Sequence, residues 1–86
     1  MADDFQAAID AVDTLTKDPG QQVKLTLYAL FKQATEGDVA GKRPGMMDFV
    51  GRAKYDAWAK LRGTTPDQAK ARYIETIEGL KAAEGR

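Results

Sequence analysis

The chain has 86 residues, the size of one small domain, so we expect a single domain over residues 1–86. Its 13 lysine and arginine residues balance 13 aspartate and glutamate residues, so no net charge draws it to nucleic acid. The chain lacks cysteine, histidine, serine and asparagine, which excludes disulfides, thiolate metal sites and the usual Ser/His or Cys/His catalytic pairs, and we expect no enzymatic activity and no metal or cofactor.

The first predicted helix is amphipathic. Its apolar residues recur at three- and four-residue spacing, at Phe5, Ala8, Ile9, Val12 and Leu15. The stretch from Lys17 to Gly20 then ends the helix, because Pro19 cannot continue the backbone hydrogen bonds and glycine favours a turn. A second helix is expected to begin near Gln21.

The second predicted helix runs from Gln21 to about Glu36, and Gly37 stops it. Its apolar stripe comprises Val23, Leu27, Leu30, Phe31 and Ala34. From Asp38 to about Met47 the chain carries two glycines and a proline without helical spacing, so this stretch is predicted to be a loop.

That loop is long for a connection between antiparallel neighbours in a bundle. A long connection allows the chain to cross over and to begin the third helix parallel to the second. Asp48 is a candidate N-cap for the third helix, which is expected to stop at Gly63. Its inward residues are predicted to be Ala53, Ala57, Trp58 and Leu61.

The start of the last helix has a strong local signal. Thr65 can cap it, Pro66 suits the first helical position, and Gln68 completes a capping box. The apolar face of this helix is predicted at Ala69, Tyr73, Ile77 and Leu80. No strand pattern competes, so the sequence predicts an all-α four-helix bundle with up-down-down-up topology and a long crossover loop between helices 2 and 3.

No apolar run in the chain is long enough for a signal peptide or a membrane span. We therefore expect a cytoplasmic protein that does not insert into a membrane.

A basic row on the second helix is the first candidate for ligand chemistry. Lys24, Tyr28 and Lys32 follow one another at intervals of four residues, beside the apolar stripe. An aromatic ring next to lysines can stack a purine while the ammonium groups neutralise a phosphate. Aromatic residues at helical spacing also occur as ordinary core residues flanked by solubilising lysines, so the spacing alone leaves both interpretations open.

Two segments of the chain carry extended motifs. The first, Leu27 to Asp38, reads Leu-Tyr-Ala-Leu-Phe-Lys-Gln-Ala-Thr-Glu-Gly-Asp. The second, Arg43 to Trp58, contains Arg-Pro-Gly-Met-Met-Asp and then Gly-Arg-Ala-Lys-Tyr-Asp-Ala-Trp. Both closely resemble signature segments of the acyl-CoA-binding protein family, and further matches extend the resemblance over essentially the whole chain.

The resemblance implies a cytoplasmic monomer that binds medium- to long-chain fatty acyl-CoA thioesters, forms an intracellular pool of them and exchanges them with acyl-CoA-using enzymes. It implies a coenzyme A headgroup site at Tyr28, Phe31, Lys32, Lys54 and Tyr73. It implies, less specifically, an acyl groove lined mainly by the first two helices, at Phe5, Ala8, Ile9, Val12, Leu25 and Leu27. Asp13, Ala29 and Leu30 are further candidates in the same segments.

This chain departs from the family pattern at two headgroup positions. Phe31 stands where the family usually has tyrosine, and Asp13 stands where relatives often carry a lysine. These departures leave a second hypothesis open, a helical interaction module that kept the fold and lost the ligand. Nucleic-acid binding is disfavoured, because the net charge is zero and no recognition helix is evident. The cations that would contact phosphates in that hypothesis are Lys24, Lys32, Arg52 and Lys54.

Overall fold

The structure, a computed structural model, describes residues 2–85. Over this range the chain forms four α-helices and no strand: α1, Ala2–Val12; α2, Gln21–Glu36; α3, Phe49–Ala59; and α4, Pro66–Ala83. The predicted all-α fold class is therefore confirmed.

Helix α1 runs parallel to α4. Near the beginning of α1, Phe5 contacts the Tyr73 ring in α4, with 5.3 Å between the ring centroids. Beyond the end of α1, the backbone N–H groups of Thr16 and Lys17 donate to the Glu84 carboxylate just after α4, at 2.8 and 2.9 Å. The first half of α1 therefore contacts the first half of α4, and the chain just beyond α1 contacts the residue just beyond α4. The two helices run in the same direction.

Helix α2 is antiparallel to α4 and parallel to α3. At its end, Gln33 donates to the carbonyl of Thr64, just before α4 begins, at 2.8 Å. Leu25, in the first half of α2, lines the same cavity as Phe49 at the start of α3. Near the end of α3, Trp58 donates to the side chain of Gln33 at 3.1 Å. The predicted up-down-down-up order is therefore confirmed, with residues 37–48 as the crossover.

The helix boundaries follow the local capping signals except at the ends of α1 and α3. Helix α2 has the predicted bounds, and α4 begins with the predicted capping box, in which Thr65 and Gln68 exchange two hydrogen bonds of 3.1 Å. Helix α1 instead ends at Val12, so the prediction that it includes Leu15 is wrong. Leu15 lies in a turn where its N–H donates to the carbonyl of Val12 at 3.3 Å.

Helix α3 lies at the edge of the bundle. Asp48 caps it as predicted, since its carboxylate accepts the N–H of Gly51 at 2.9 Å. The helix ends at Ala59, so the prediction that it continues to Gly63 is wrong. Beyond it the N–H groups of Leu61 and Arg62 donate to carbonyls three residues back, and this turn carries the chain on to Gly63. The residues predicted to face inward, Ala53, Ala57, Trp58 and Leu61, are only half-buried. Because α3 packs mainly against α2, one side of its inner face stays open.

The core lies among α1, α2 and α4. It contains Phe5, Ala8, Leu27, Leu30, Ala34, Ala69, Tyr73 and Ile77. Gln33 is also buried, and its amide nitrogen donates to Asp38 and Thr64 while its oxygen accepts from Trp58. These bonds join the end of α2 to the crossover loop and to α3. None of the helices described here is both long and apolar enough to cross a membrane.

Candidate ligand-binding site

Two lysines from different helices converge on one aromatic ring. Tyr28 is half-buried on α2, with Lys54 Nζ from α3 5.2 Å from its ring centroid and Lys32 Nζ 6.0 Å away. Lys32 Nζ also lies 5.3 Å from the ring of Trp58. Ammonium groups at these distances are attracted to the negative ring faces, which partly offsets the repulsion between the two cations. The structure thus brings together three of the five predicted headgroup residues.

Lys32 is held by an acidic neighbour one helical turn away. Its ammonium forms an ion pair with Glu36, and that hydrogen bond raises the pKa of Lys32 above its ordinary value. The side chain therefore stays protonated over the physiological range. A phosphate that binds Lys32 competes with the Glu36 carboxylate.

The other two headgroup residues belong to a row of three rings. The ring centroids of Phe31 and Phe5 are 6.3 Å apart with an interplanar angle of 24°, and the Tyr73 ring meets Phe5 edge-on at 76°. Phe31 keeps 36% of its surface exposed, so a planar group can still stack on it, whereas Tyr73 keeps only 5%. Burial raises the pKa of Tyr73, and the Asp13 carboxylate raises it further, which keeps the hydroxyl protonated as a donor.

Asp13 is exposed just beyond the end of α1. Its effect on the pKa of Tyr73 places its negative charge within electrostatic range of that predicted headgroup residue. Among residues 4–85, no cation lies within ion-pair distance of Asp13. An anionic ligand near Tyr73 therefore meets an uncompensated carboxylate.

An apolar groove of about 400 Å³ opens between α2 and α3. It is lined by Gln21, Lys24, Leu25 and Tyr28 from α2 and by Phe49, Val50, Ala53 and Lys54 from α3. This volume lies within the range of small-molecule sites. Tyr28 and Lys54 belong both to the groove and to the cation cluster, so the apolar surface and the positive charges are continuous.

The structure places most of the predicted groove residues elsewhere. Phe5, Ala8 and Leu27 lie in the core with 6–7% exposure, because the apolar stripe of α1 packs on α4. Ala29 and Leu30 are also buried. Ile9 and Val12 are partly buried against the same core. Of the predicted set, Leu25 alone lines the groove between α2 and α3.

A second, smaller cavity lies against the turn between α1 and α2. It encloses about 250 Å³, and its lining includes Val12, Leu15, Lys24 and Leu27. Lys24 borders both this cavity and the groove between α2 and α3. Val12 and Leu27, two of the residues predicted to line the acyl groove, thus line this smaller cavity instead.

Sequence reasoning missed several residues that shape the site. Phe49 and Val50 line the groove. Val50 and Ala53 follow Phe49 by one and four residues, a spacing that places all three near one face of a helix and could have indicated this role. The Trp58 indole N–H donates to the carbonyl of Gly37 at 2.8 Å and to Gln33, which fixes the ring beside Lys32. That role of Trp58 depends on tertiary contacts.

Among the described residues, no group of three or more acidic side chains could hold a metal ion.

Comparison with known proteins gives a consistent result. The profile of the family described as "Acyl CoA binding protein" matches residues 2–77. The "Acyl-CoA-binding protein homolog" of Drosophila melanogaster is 44% identical over 82 residues, which cover 95% of each chain. The "Enoyl-CoA delta isomerase 2" of Rattus norvegicus is 45% identical over 80 residues, and there the match covers 93% of this chain but only 20% of the relative.

The fold comparison agrees. The crystal structure of Oryza sativa Acyl-CoA-Binding Protein 2 superposes with a TM-score of 0.92 at 33% identity and covers 98% of this chain and 93% of that one. A family profile that spans most of the chain, together with a relative matched over nearly its full length, establishes the relationship. The chain belongs to the acyl-CoA-binding protein family.

Proposed function

We propose that this chain binds medium- to long-chain fatty acyl-CoA thioesters and carries them without altering them chemically. The observation that supports this most directly is the continuity of the site. Tyr28 and Lys54 border an apolar groove on one side and belong to a cluster of positive charge on the other. A ligand with an apolar tail and a phosphorylated head matches both parts.

The headgroup is assigned to the cation cluster and the exposed ring. The ammonium groups of Lys32 and Lys54 and the hydroxyl of Tyr28 suit a phosphate, since charge-assisted hydrogen bonds are the stronger ones. The open face of Phe31 suits a purine ring, because base–aromatic stacking needs only a flat π-surface. Tyr73 remains a proposed contact through its hydroxyl.

The acyl chain is assigned to the groove between α2 and α3. Burial of each methylene contributes about 0.8 kcal/mol, so about ten methylenes contribute on the order of 8 kcal/mol before the cost of ordering the chain. Affinity is therefore expected to rise with acyl length until the groove is full. This differs from the sequence-based expectation of an acyl groove lined mainly by the first two helices.

The biological setting belongs to the same proposal. We infer a monomeric cytoplasmic carrier that forms a pool of acyl-CoA and exchanges it with enzymes that use it. The site contains lysines, tyrosines and apolar side chains, which suit reversible binding.

The alternative of an interaction module that has lost the ligand is less well supported. A scaffold does not need Lys32 and Lys54 on different helices to converge on Tyr28. It also does not need an open groove to continue from that cluster.

Calorimetric titration with palmitoyl-CoA tests the proposal, with free coenzyme A and palmitate as controls. The unmodified protein is expected to bind palmitoyl-CoA one-to-one and more tightly than either part alone. Lys32→Ala is expected to weaken binding roughly tenfold or more, because the phosphate loses a charge-assisted partner.

Lys81→Ala is the matched control. Lys81 also forms an intrahelical ion pair, 3.6 Å from Glu78, but lies at the end of α4, away from the groove. It is expected to bind palmitoyl-CoA as the unmodified protein does. Equal binding of palmitoyl-CoA and palmitate would contradict a working headgroup site.

A further inference from the structure

Lys24 lies where two cavities meet. Its side chain lines the groove between α2 and α3 and also the cavity of about 250 Å³ against the α1–α2 turn. Among the described residues, no other lines both. Along α2, Lys24 lies one helical turn before Tyr28, at the end of the groove away from the cation cluster. Lys24 therefore separates the groove from a second cavity.

An ion pair holds the Lys24 side chain at this boundary. Its ammonium donates to Asp18 Oδ2 at 3.2 Å. The other oxygen of the same carboxylate accepts the N–H of Gly20 at 2.8 Å. The Gly20 N–H and then the Lys24 ammonium lower the pKa of Asp18, so the carboxylate stays charged at neutral pH. Asp18 itself lines the second cavity, so two opposite charges stand between the two cavities.

The second cavity is built on an ordered turn. Glu84, just after α4, accepts the N–H groups of Thr16 and Lys17 in this turn, at 2.8 and 2.9 Å. The apolar part of the cavity lining is Val12, Leu15, Pro19 and Leu27. The second cavity is therefore a partly apolar space that an acyl chain in the groove reaches only past Lys24.

We propose that Lys24 and Asp18 form the end wall of the acyl groove and set the longest acyl chain that the protein holds. An acyl chain that continued past Lys24 would cover this ion pair, whose side chains are 59% and 70% exposed. Such a chain would remove water from an ammonium and a carboxylate, and this cost outweighs the gain from the few methylenes that the second cavity accepts. The methyl end of the chain is therefore expected to stop at the pair. The inference rests on the proposed function and adds a length limit to it.

Lys24→Met tests the end wall because it keeps an unbranched apolar side chain and removes the charge. In the unmodified protein, affinity is expected to rise with acyl length and to level off once the methyl end reaches Lys24. In the variant, an acyl chain passes the methionine without covering a cation, so affinity is expected to go on rising over longer chains.

Calorimetric titration with lauroyl-CoA, palmitoyl-CoA and arachidoyl-CoA, each below its micelle concentration, measures this difference. The quantity compared is the ratio of the affinities for arachidoyl-CoA and lauroyl-CoA, because the contribution of the shared headgroup cancels from it. Lys24→Met is expected to raise this ratio about fivefold. Asp18→Asn keeps an oxygen acceptor for the N–H of Gly20 but breaks the ion pair, and is expected to raise the ratio about twofold.

Lys17→Met is the matched control. Lys17 is an exposed lysine that lines the second cavity but not the groove. Removal of its charge leaves the end wall in place, so the affinity ratio is expected to equal that of the unmodified protein. Amide chemical shifts locate the end of the acyl chain. With arachidoyl-CoA, the signals of Val12 and Leu15 are expected to move in Lys24→Met but not in the unmodified protein.

Three results would overturn the end wall. The first is an affinity ratio that Lys24→Met leaves unchanged, and the second is an equal rise in Lys17→Met, which would indicate a general effect of charge. The third is a saturable shift at Val12 and Leu15 in the unmodified protein, which would show that the chain already passes Lys24. Any of these results with tight binding of palmitoyl-CoA refutes the end wall alone. Failure of the unmodified protein to bind any member of the series refutes the proposed function as well.

Discussion

At the scale of single residues, the cluster of Tyr28, Lys32 and Lys54 depends on contacts between two helices. Tyr28 and Lys32 lie one turn apart, so their proximity follows from α2 alone. Lys54 joins them only because α3 runs parallel to α2, which spacing could not show. The place of Trp58 beside Lys32 depends on hydrogen bonds to Gly37 and Gln33 that form only in the folded chain.

Asp13 gives the first prediction at this scale. Its carboxylate raises the pKa of Tyr73, and no cation among residues 4–85 lies within ion-pair distance of it, so we expect it to repel a phosphate that binds near Tyr73. Asp13→Lys is expected to tighten binding of palmitoyl-CoA about fivefold at low salt, and the gain should shrink at high salt. Calorimetry at two ionic strengths measures both effects.

Asp10→Lys is the matched control for this prediction. It makes the same charge change at an exposed position on α1, where Asp10 accepts a hydrogen bond from Gln6 at 3.0 Å. An equal gain in both variants would point to a general charge effect and would contradict a specific role for Asp13.

Phe31 gives the second prediction. Phe31→Leu keeps an apolar side chain against Phe5 but removes the flat face, so a stacked purine loses about 1–3 kcal/mol. Affinity for palmitoyl-CoA is therefore expected to fall roughly tenfold or more by calorimetry. Phe31→Tyr retains the ring and is expected to bind at least as well as the unmodified protein. Unchanged binding by Phe31→Leu would place the adenine elsewhere.

At the scale of the elements, the bounds of α2 and the start of α4 were predictable from local signals, whereas the ends of α1 and α3 were not. Thr65, Pro66 and Gln68 act within one turn, so α4 begins as predicted. Beyond the end of α1, Glu84 accepts the N–H groups of Thr16 and Lys17, from 68 and 67 residues away along the chain. No pattern near α1 indicates this contact.

The groove between α2 and α3 also depends on how the elements pack. From the sequence alone, the apolar stripe of α1 could have lined a ligand site. In the folded bundle, α4 covers that stripe. Helix α3 lacks such a second neighbour, which leaves Phe49, Val50 and Ala53 lining an open groove. Helix periodicity identifies an apolar face, whereas tertiary packing decides whether that face remains accessible.

The capping box at α4 gives an element-scale prediction. Thr65→Ala removes the hydroxyl that accepts the N–H of Gln68, and is expected to lower the free energy of unfolding by about 1 kcal/mol. For a domain of this size the melting temperature should fall by about 5 °C. Thr35→Ala is the control, because its exposed hydroxyl only bonds back to the carbonyl of Phe31. Equal losses in the two variants would contradict the cap assignment.

At the scale of the whole molecule, the length of the crossover loop was enough to predict the topology. The loop is anchored along its length, by Trp58 at Gly37, by Tyr55 at Gly41 and by Asp56 at Arg43. These anchors hold α3 against α2. The groove therefore depends on the loop as well as on the helices.

Acid stability is the prediction for the whole bundle. The pKa of Asp38 lies below its ordinary value of 3.8, chiefly because its carboxylate accepts the N–H of Gly63 and then the amide of Gln33. Arg43 likewise lowers the pKa of Asp56, and the N–H of Gly20 lowers that of Asp18. A carboxyl whose pKa is lower in the folded state stabilises the fold above its unfolded pKa, and that stability is lost as the pH falls through the folded value.

The melting temperature is therefore expected to stay level from neutral pH to about pH 5 and to fall below about pH 4. Asp38→Asn keeps an oxygen acceptor but cannot titrate, so its curve should be flatter in acid. A melting temperature that increases as the pH is lowered from about 5 to about 3 would contradict the lowered pKa values of these three carboxyls.

The central claim, one ligand that spans the cation cluster and the groove, is tested most directly by amide chemical shifts in a titration with palmitoyl-CoA. The largest changes are expected at Leu25 and Ala53 along the groove and at Phe31 and Lys32 at the headgroup, with little change at Thr76 on the other side of the bundle. Free coenzyme A is expected to reproduce only the changes at Phe31 and Lys32. Changes confined to Val12 and its neighbours in the cavity by the α1–α2 turn, or no saturable changes at all, would contradict the account.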